Sequence, residues 1–123
     1  MSYTYDTGML VALERRKKRA LDWYALANAQ GARVTVPAPV LGEWWRGRTD
    51  AREKILSFVR VEPLSEGVAK LAGEAIARVR GATLVDAVVM ASAALRGDSV
   101  FTSDLDELMR LATVFPNVRL FQA

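Results

Sequence analysis

Four carboxylates in this chain stand where an α/β protein would use them together. Asp6 ends the β-rich run "SYTY" (2–5), and Asp104 follows a later apolar run, "SVFT" (99–102). Glu43 lies in "APVLGEWWRG" (38–47), a short helical segment that opens directly after the run "RVTVP" (33–37). Asp86 interrupts "GATLVDAVVMASAAL" (81–95), which is otherwise apolar on nearly every helical face; such helices are buried. In open α/β sheets, sites form in the crevice beyond the carboxyl ends of the strands. If the strands ending at Asp6 and Asp104 adjoin, the acids converge. Carboxylates brought within a few Å raise one another's pKa, and a divalent cation removes that conflict.

Each acid has a plainer reading, and the residues alone leave both open. Asp6 and Asp104 precede helical stretches, where Asp is a preferred N-cap. Asp86 stands three residues after Thr83, the spacing of a capping box, near the positive end of a helix dipole. Glu43 fits a solvated edge position paired with Arg46 at (i, i+3).

Composition narrows the chemistry. The chain has 123 residues, 51% hydrophobic and 25% charged, enough for one real core. It has no cysteine and no histidine. Thiolate and imidazole metal sites are therefore excluded, as are Ser-His and Cys-His nucleophile pairs. A metal site must be built from oxygen, which favours Mg²⁺ or Mn²⁺ (or Ca²⁺) over Zn²⁺. The net charge of +3 is compatible with a polyanionic partner. No charged leader precedes a long apolar run and no segment is long enough to span a bilayer, so a cytoplasmic location is expected, with no membrane partner.

The elements that must position the acids alternate. Strands are expected at 2–5, 33–37, 60–64, 99–102 and 117–122. Helices are expected at 8–31, broken near the basic run Arg15–Arg19, and at 38–47, 50–59, 65–81, 81–95 and 104–115. Alternation of this kind implies βαβ units and a parallel sheet covered on both faces. The expected fold is a three-layer α/β/α sandwich with about five strands. Of the adjacent Trp44 and Trp45, which cannot share a helix face, one belongs to the core and the other to a protein interface. The basic run reads either as a solvated helix face or as a phosphate track.

"YDTGMLVALE", "VPAPVLGEWWRG", "ATLVDAVVMASAAL" and "VFTSDLDELMRL", in this order and at these spacings, resemble the PIN-domain family, and within it the VapC-like toxins of type II toxin–antitoxin modules. The resemblance covers nearly the whole chain. It implies one PIN-like domain over residues 1–123, a parallel sheet of strand order 3-2-1-4-5, and a Mg²⁺- or Mn²⁺-dependent endoribonuclease acting on RNA. Carried over by position, it assigns catalytic roles to Asp6, Glu43, Asp86 and Asp104. Asp6, Asp86 and Asp104 would hold metal, and Glu43 would ligate a second ion or orient a water. Thr102 and Asp106 would support the site. A bound ion would lower the pKa of water and offset charge on the phosphoryl oxygens.

Arg46 and Arg48, just after the Glu43 helix, are candidates for RNA binding. The resemblance also implies a homodimer and a cognate antitoxin lying in a groove near the acids. Met9, Leu10 and Leu13 would line that groove or pack in the core. Two features depart from the family pattern: the first strand is very short, and "SDLDE" offers three acids for one role. The alternatives are a nuclease acting on DNA or structured RNA outside such a module, and an inactive protein-binding scaffold whose acids only cap helices.

Overall fold

A computed structural model describes all 123 residues. Five parallel strands form one sheet: β1 (Ser2–Tyr5), β2 (Arg33–Pro37), β3 (Arg60–Glu62), β4 (Ser99–Thr102) and β5 (Leu120–Gln122). Their order is β3-β2-β1-β4-β5, as expected. Thr4 registers with Thr35 on one side and with Val100 on the other. The strands that end at Asp6 and Asp104 are thus neighbours at the centre of the sheet.

Seven helices connect and flank the strands: α1 (Thr7–Glu14), α2 (Lys18–Ala29), α3 (Ala38–Trp44), α4 (Asp50–Leu56), α5 (Glu66–Arg78), α6 (Leu84–Arg96) and α7 (Leu105–Leu111). The arrangement is the α/β/α sandwich that the alternating pattern implied.

Helix α6 is the buried wall that its composition predicts. Every residue from Ala87 to Ala93 is buried, and the helix packs on β1, β2 and β4. Thr83 caps it by accepting the Asp86 amide at 3.1 Å, and Gly97 closes it in the left-handed conformation that glycine adopts without penalty. Helix α2 docks through Trp23, whose ring meets Phe101 and Phe121 and whose indole N–H donates to the Gln122 carbonyl at 2.9 Å. Met9, Leu10 and Leu13 of α1 are buried and belong to the core.

The break within the first helical stretch falls in the basic run, as expected. The Arg16 amide donates to Leu13 and the Lys17 amide to Ala12, a Schellman closure of α1 that places Arg16 at φ 56°. That left-handed position usually belongs to glycine, and an L-residue with a side chain there is strained by about 1–2 kcal/mol. Arg16→Gly should therefore raise stability by about 0.5–1 kcal/mol once the greater freedom of the unfolded glycine is counted. A higher urea midpoint with an unchanged m-value would show it; a lower midpoint would contradict it.

Several boundaries differ from expectation. Helix α4, capped by Thr49 whose hydroxyl accepts the Arg52 amide at 3.1 Å, ends at Leu56, short of 59. Helix α7 stops at Leu111, short of 115, and β5 starts at Leu120, later than 117. Phe115 and Val118 are buried in the connection between them, so burial of these two side chains overrides the local helical pattern.

Candidate active site

Asp6 is the most enclosed of the four acids, at 6% exposure. It is also an N-cap: its Oδ1 accepts the Met9 amide at 2.8 Å, which fixes the carboxylate at the start of α1. Burial pushes its pKa up to about 6. Hydrogen bonds from Thr102 and the Met9 amide pull the other way, and the nearby charges of Asp86 and Asp104 add to the rise. Capping and clustering therefore coexist at this residue.

Asp86 stands half-buried in the first turn of α6. Burial raises its pKa, a hydrogen bond from Thr83 opposes the shift, and the charges of Glu107, Glu43 and Asp104 reinforce it. The capping-box reading is right for the backbone, but the carboxylate also feels three other acids.

Asp104 flanks α7, yet its side chain makes no capping bond. Its own amide donates to the Thr102 hydroxyl at 2.8 Å. Thr102, fully buried, thus links Asp6 and Asp104 across the ends of β1 and β4. Glu43 accepts from the Thr7 hydroxyl at 2.6 Å, which brings α3 to the start of α1, and it does not pair with Arg46. Arg46 donates to the carbonyls of Gly42 and Trp45 instead, and Arg48 lies 3.8 Å from Glu53. Trp44 is the core member of the tryptophan pair; its indole donates to Glu14 at 2.9 Å, while Trp45 is half-buried.

One acid at this end of the sheet was not singled out from the sequence. Glu107, not Asp106, is the α7 carboxylate whose charge reaches Asp86. Asp106 is exposed and Glu107 half-buried, with Arg110 3.8 Å away from it. Spacing held the signal: Glu107 stands three residues after Asp104, on the same helical face, whereas Asp106 does not.

As the side chains stand, no three carboxylates are close enough together to hold an ion. Their charges nevertheless reach one another: Asp6 feels Asp86 and Asp104, and Asp86 feels Glu107, Glu43 and Asp104. The donor set is all oxygen, which suits a hard divalent cation. Burial is the main cause of the raised Asp6 pKa, and the charges of Asp86 and Asp104 add to it.

The backbone beneath the acids is tightly constrained. A Cβ on Gly8 would lie 1.9 Å from Ser103 Oγ and 3.1 Å from the Ser103 amide nitrogen, so only glycine lets α1 start this close to the end of β4. Gly8→Ala should cost about 1–3 kcal/mol, as overpacking does. Adding Ser103→Gly should recover part of that loss, because the closest atoms are in the serine side chain. Urea denaturation of the single and double variants checks this, and additive losses would contradict it.

Residues 3–113 match the PIN domain family. The chain belongs to the PIN-domain family. The same fold recurs in VapBC2 from Rickettsia felis bound to a DNA fragment from its promoter, at a TM-score of 0.76 and 18% identity over 100% of this chain and 99% of that one. A toxin–antitoxin complex from Klebsiella pneumoniae aligns at 0.75 and 16% identity over 98% of this PIN-domain chain and 99% of that one. DNA-bound VapBC from Salmonella typhimurium aligns at 0.73 and 18%, covering 99% and 98%. No curated protein sequence matches.

Proposed function

We propose that this PIN-domain chain, one domain over residues 1–123, is a Mg²⁺- or Mn²⁺-dependent endoribonuclease, the toxin of a type II toxin–antitoxin module. The observation that carries the reading is that Asp6 and Asp104, after the adjacent strands β1 and β4, and Asp86, in the first turn of α6, lie within electrostatic reach of one another, with Glu43 and Glu107 beside Asp86. Capping alone does not require this. An acid that only caps gains nothing from burial beside two others, and Asp104 does not cap at all.

Asp6, Asp86 and Asp104 would hold the metal. When bound, the ion supplies a water of lowered pKa and offsets charge on the phosphoryl oxygens. The protein's part is position. The Met9 amide and Thr102 fix the Asp6 carboxylate, and the buried body of α6 fixes the backbone under Asp86. Thr102 also orders the backbone of Asp104. Thr7 holds Glu43 at the rim, where it would orient a water or a second ion. Glu107 joins the set in the place first assigned to Asp106. With no histidine in the chain, proton transfer falls to carboxylates and solvent.

A toxin–antitoxin complex shares the fold, which supports a cognate antitoxin as partner; a homodimer and a cytoplasmic location belong to the same reading. No helix is long and apolar enough to cross a membrane. The test is cleavage by purified protein of single-stranded RNA and of DNA of matching sequence, with Mn²⁺ or with EDTA. RNA should be cut only with Mn²⁺, and DNA should stay intact. RNA left whole with Mn²⁺, RNA cut equally in EDTA, or DNA cut as readily would overturn the reading.

A further inference from the structure

The basic run Arg15–Arg19 is not used by the carboxylate site. In an unbroken helix, successive residues are about 100° apart and five would point all round the axis. The left-handed turn at Arg16 prevents that scatter. Arg15, Lys17, Lys18 and Arg19 all line one open cleft, whose lining also includes Gly8 and Ser103. Arg16 alone turns elsewhere, toward Leu13, Leu21 and Ile55. No aspartate or glutamate side chain lines the cleft, which Val11, Ala12 and the last residue, Ala123, complete. Arg15, Lys17 and Arg19 make no ion pair, and the Lys18–Asp22 bridge is exposed and worth little.

The position of the cleft matters as much as its charge. Gly8 lies two residues after Asp6, Ser103 directly precedes Asp104, and the two are packed too closely to admit a Cβ. The cleft therefore begins at the ridge that carries the acids. It contains no aromatic ring, so it has no surface for stacking bases.

We infer that this cleft is the track along which an RNA strand leaves the carboxylates, with Arg15, Lys17, Lys18 and Arg19 binding successive backbone phosphates. The identity of the polymer rests on the nuclease reading above. The contribution is sequence-independent, as phosphate contacts are. It supplies the attraction needed to bring a polyanion to a cluster of acids.

The test is fluorescence anisotropy of a labelled single-stranded RNA of about twelve nucleotides, titrated across salt concentrations in EDTA. Wild-type protein is compared with the variant Lys17→Gln/Lys18→Gln/Arg19→Gln. Each lost phosphate contact on a single strand removes roughly 0.7 from the salt slope, so the triple variant should lose about two. Affinity at low salt should fall at least tenfold, equally for RNAs of scrambled sequence. Arg60→Gln/Lys70→Gln, at the opposite sheet edge and on the helix after it, should change neither. If the triple variant does not fold, Arg15→Gln/Lys17→Gln serves, with a slope loss of about 1.4.

An unchanged slope and affinity would overturn the proposal. So would a variant that binds RNA like wild type but loses an acidic protein partner. Because the readout is binding without metal, the two readings fail separately. Run-dependent binding by a protein that cleaves nothing supports the track and contradicts the nuclease. Cleavage with run-independent binding contradicts the track alone.

Discussion

Asp6→Asn should abolish cleavage and, in metal-free protein at neutral pH, make the fold more stable. Asparagine is as good an N-cap as aspartate, so the bond to the Met9 amide survives. What disappears is a buried negative charge beside two others. The Asp6 pKa rises from 3.8 to about 6 in the folded protein. A raised carboxyl pKa means that folding favours the protonated form. The corresponding stability is fully present below about pH 3.8 and is lost as pH climbs through about 6. The difference amounts to roughly 3 kcal/mol at neutral pH.

Asp86, also raised by burial and by neighbouring acids, acts in the same direction. Metal-free wild type should therefore become less stable between pH 4 and 7, and the Asn variant should largely escape that decline. Cleavage should fall on the order of a thousandfold or more, the scale of losing several kcal/mol of metal-derived stabilisation. Chemical denaturation at pH 5 and pH 7.5 with both proteins tests the first half, and the RNA assay tests the second. A variant less stable than wild type at pH 7.5 would contradict the electrostatic account of the site.

The second large effect lies away from the acids. Arg96, at the end of α6, donates to Glu62 on β3, to Asp98 at 2.9 Å and to Thr4 on β1 at 2.7 Å. Ser92 donates to Glu62 at 2.6 Å, Thr4 donates to Asp98 at 2.8 Å, and Ser2 also donates to Asp98. One guanidinium thus ties β1, β3, α6 and the entry to β4. The Asp98 side chain is wholly buried and that of Arg96 is 18% exposed. Removing one partner of such a group leaves uncompensated buried charge, so Arg96→Ala should cost about 3–5 kcal/mol, a large share of a small domain's stability.

Arg96→Lys should fall between the two, because it keeps the charge but loses the planar fork. Burial alone would raise the Glu62 pKa, but hydrogen bonds from Ser92 and Arg96, and the Arg96 charge, outweigh it and hold the carboxyl below its ordinary value. That contribution is present above about pH 4.5 and is lost as pH falls further. Acid unfolding should therefore move to higher pH in Arg96→Ala. Wild-type stability in that variant would show that the network is decorative.

The two halves of the molecule were unequally legible in the sequence. Alternating strand and helix patterns are local, and the layered α/β fold followed from them; the strand order came from the family resemblance. The acids at strand ends were legible for the same reason, since a strand end and the residue after it are adjacent in the chain. Glu107 was harder, because choosing among the three acids of "SDLDE" depends on how α7 is rotated over the sheet.

The Arg96 network carried no local signal at all. Its hydrogen bonds to Glu62 and Thr4 span 34 and 92 residues, and no spacing rule relates such positions. The gathering of four cations by the Arg16 turn was equally invisible, since a left-handed arginine breaks the usual preference for glycine there. Where α7 ended was decided by burial of Phe115 and Val118, a tertiary effect.

Titration of metal-free protein with Mn²⁺ in a calorimeter tests the central claim most directly, because it asks whether acids not yet gathered into a metal site close on a cation. Wild type should bind with a saturable heat, and the bound protein should unfold at a higher temperature. Asp86→Asn should show neither effect while keeping its circular dichroism. Saturable binding that survives in Asp86→Asn, or no binding by wild type, would contradict the account.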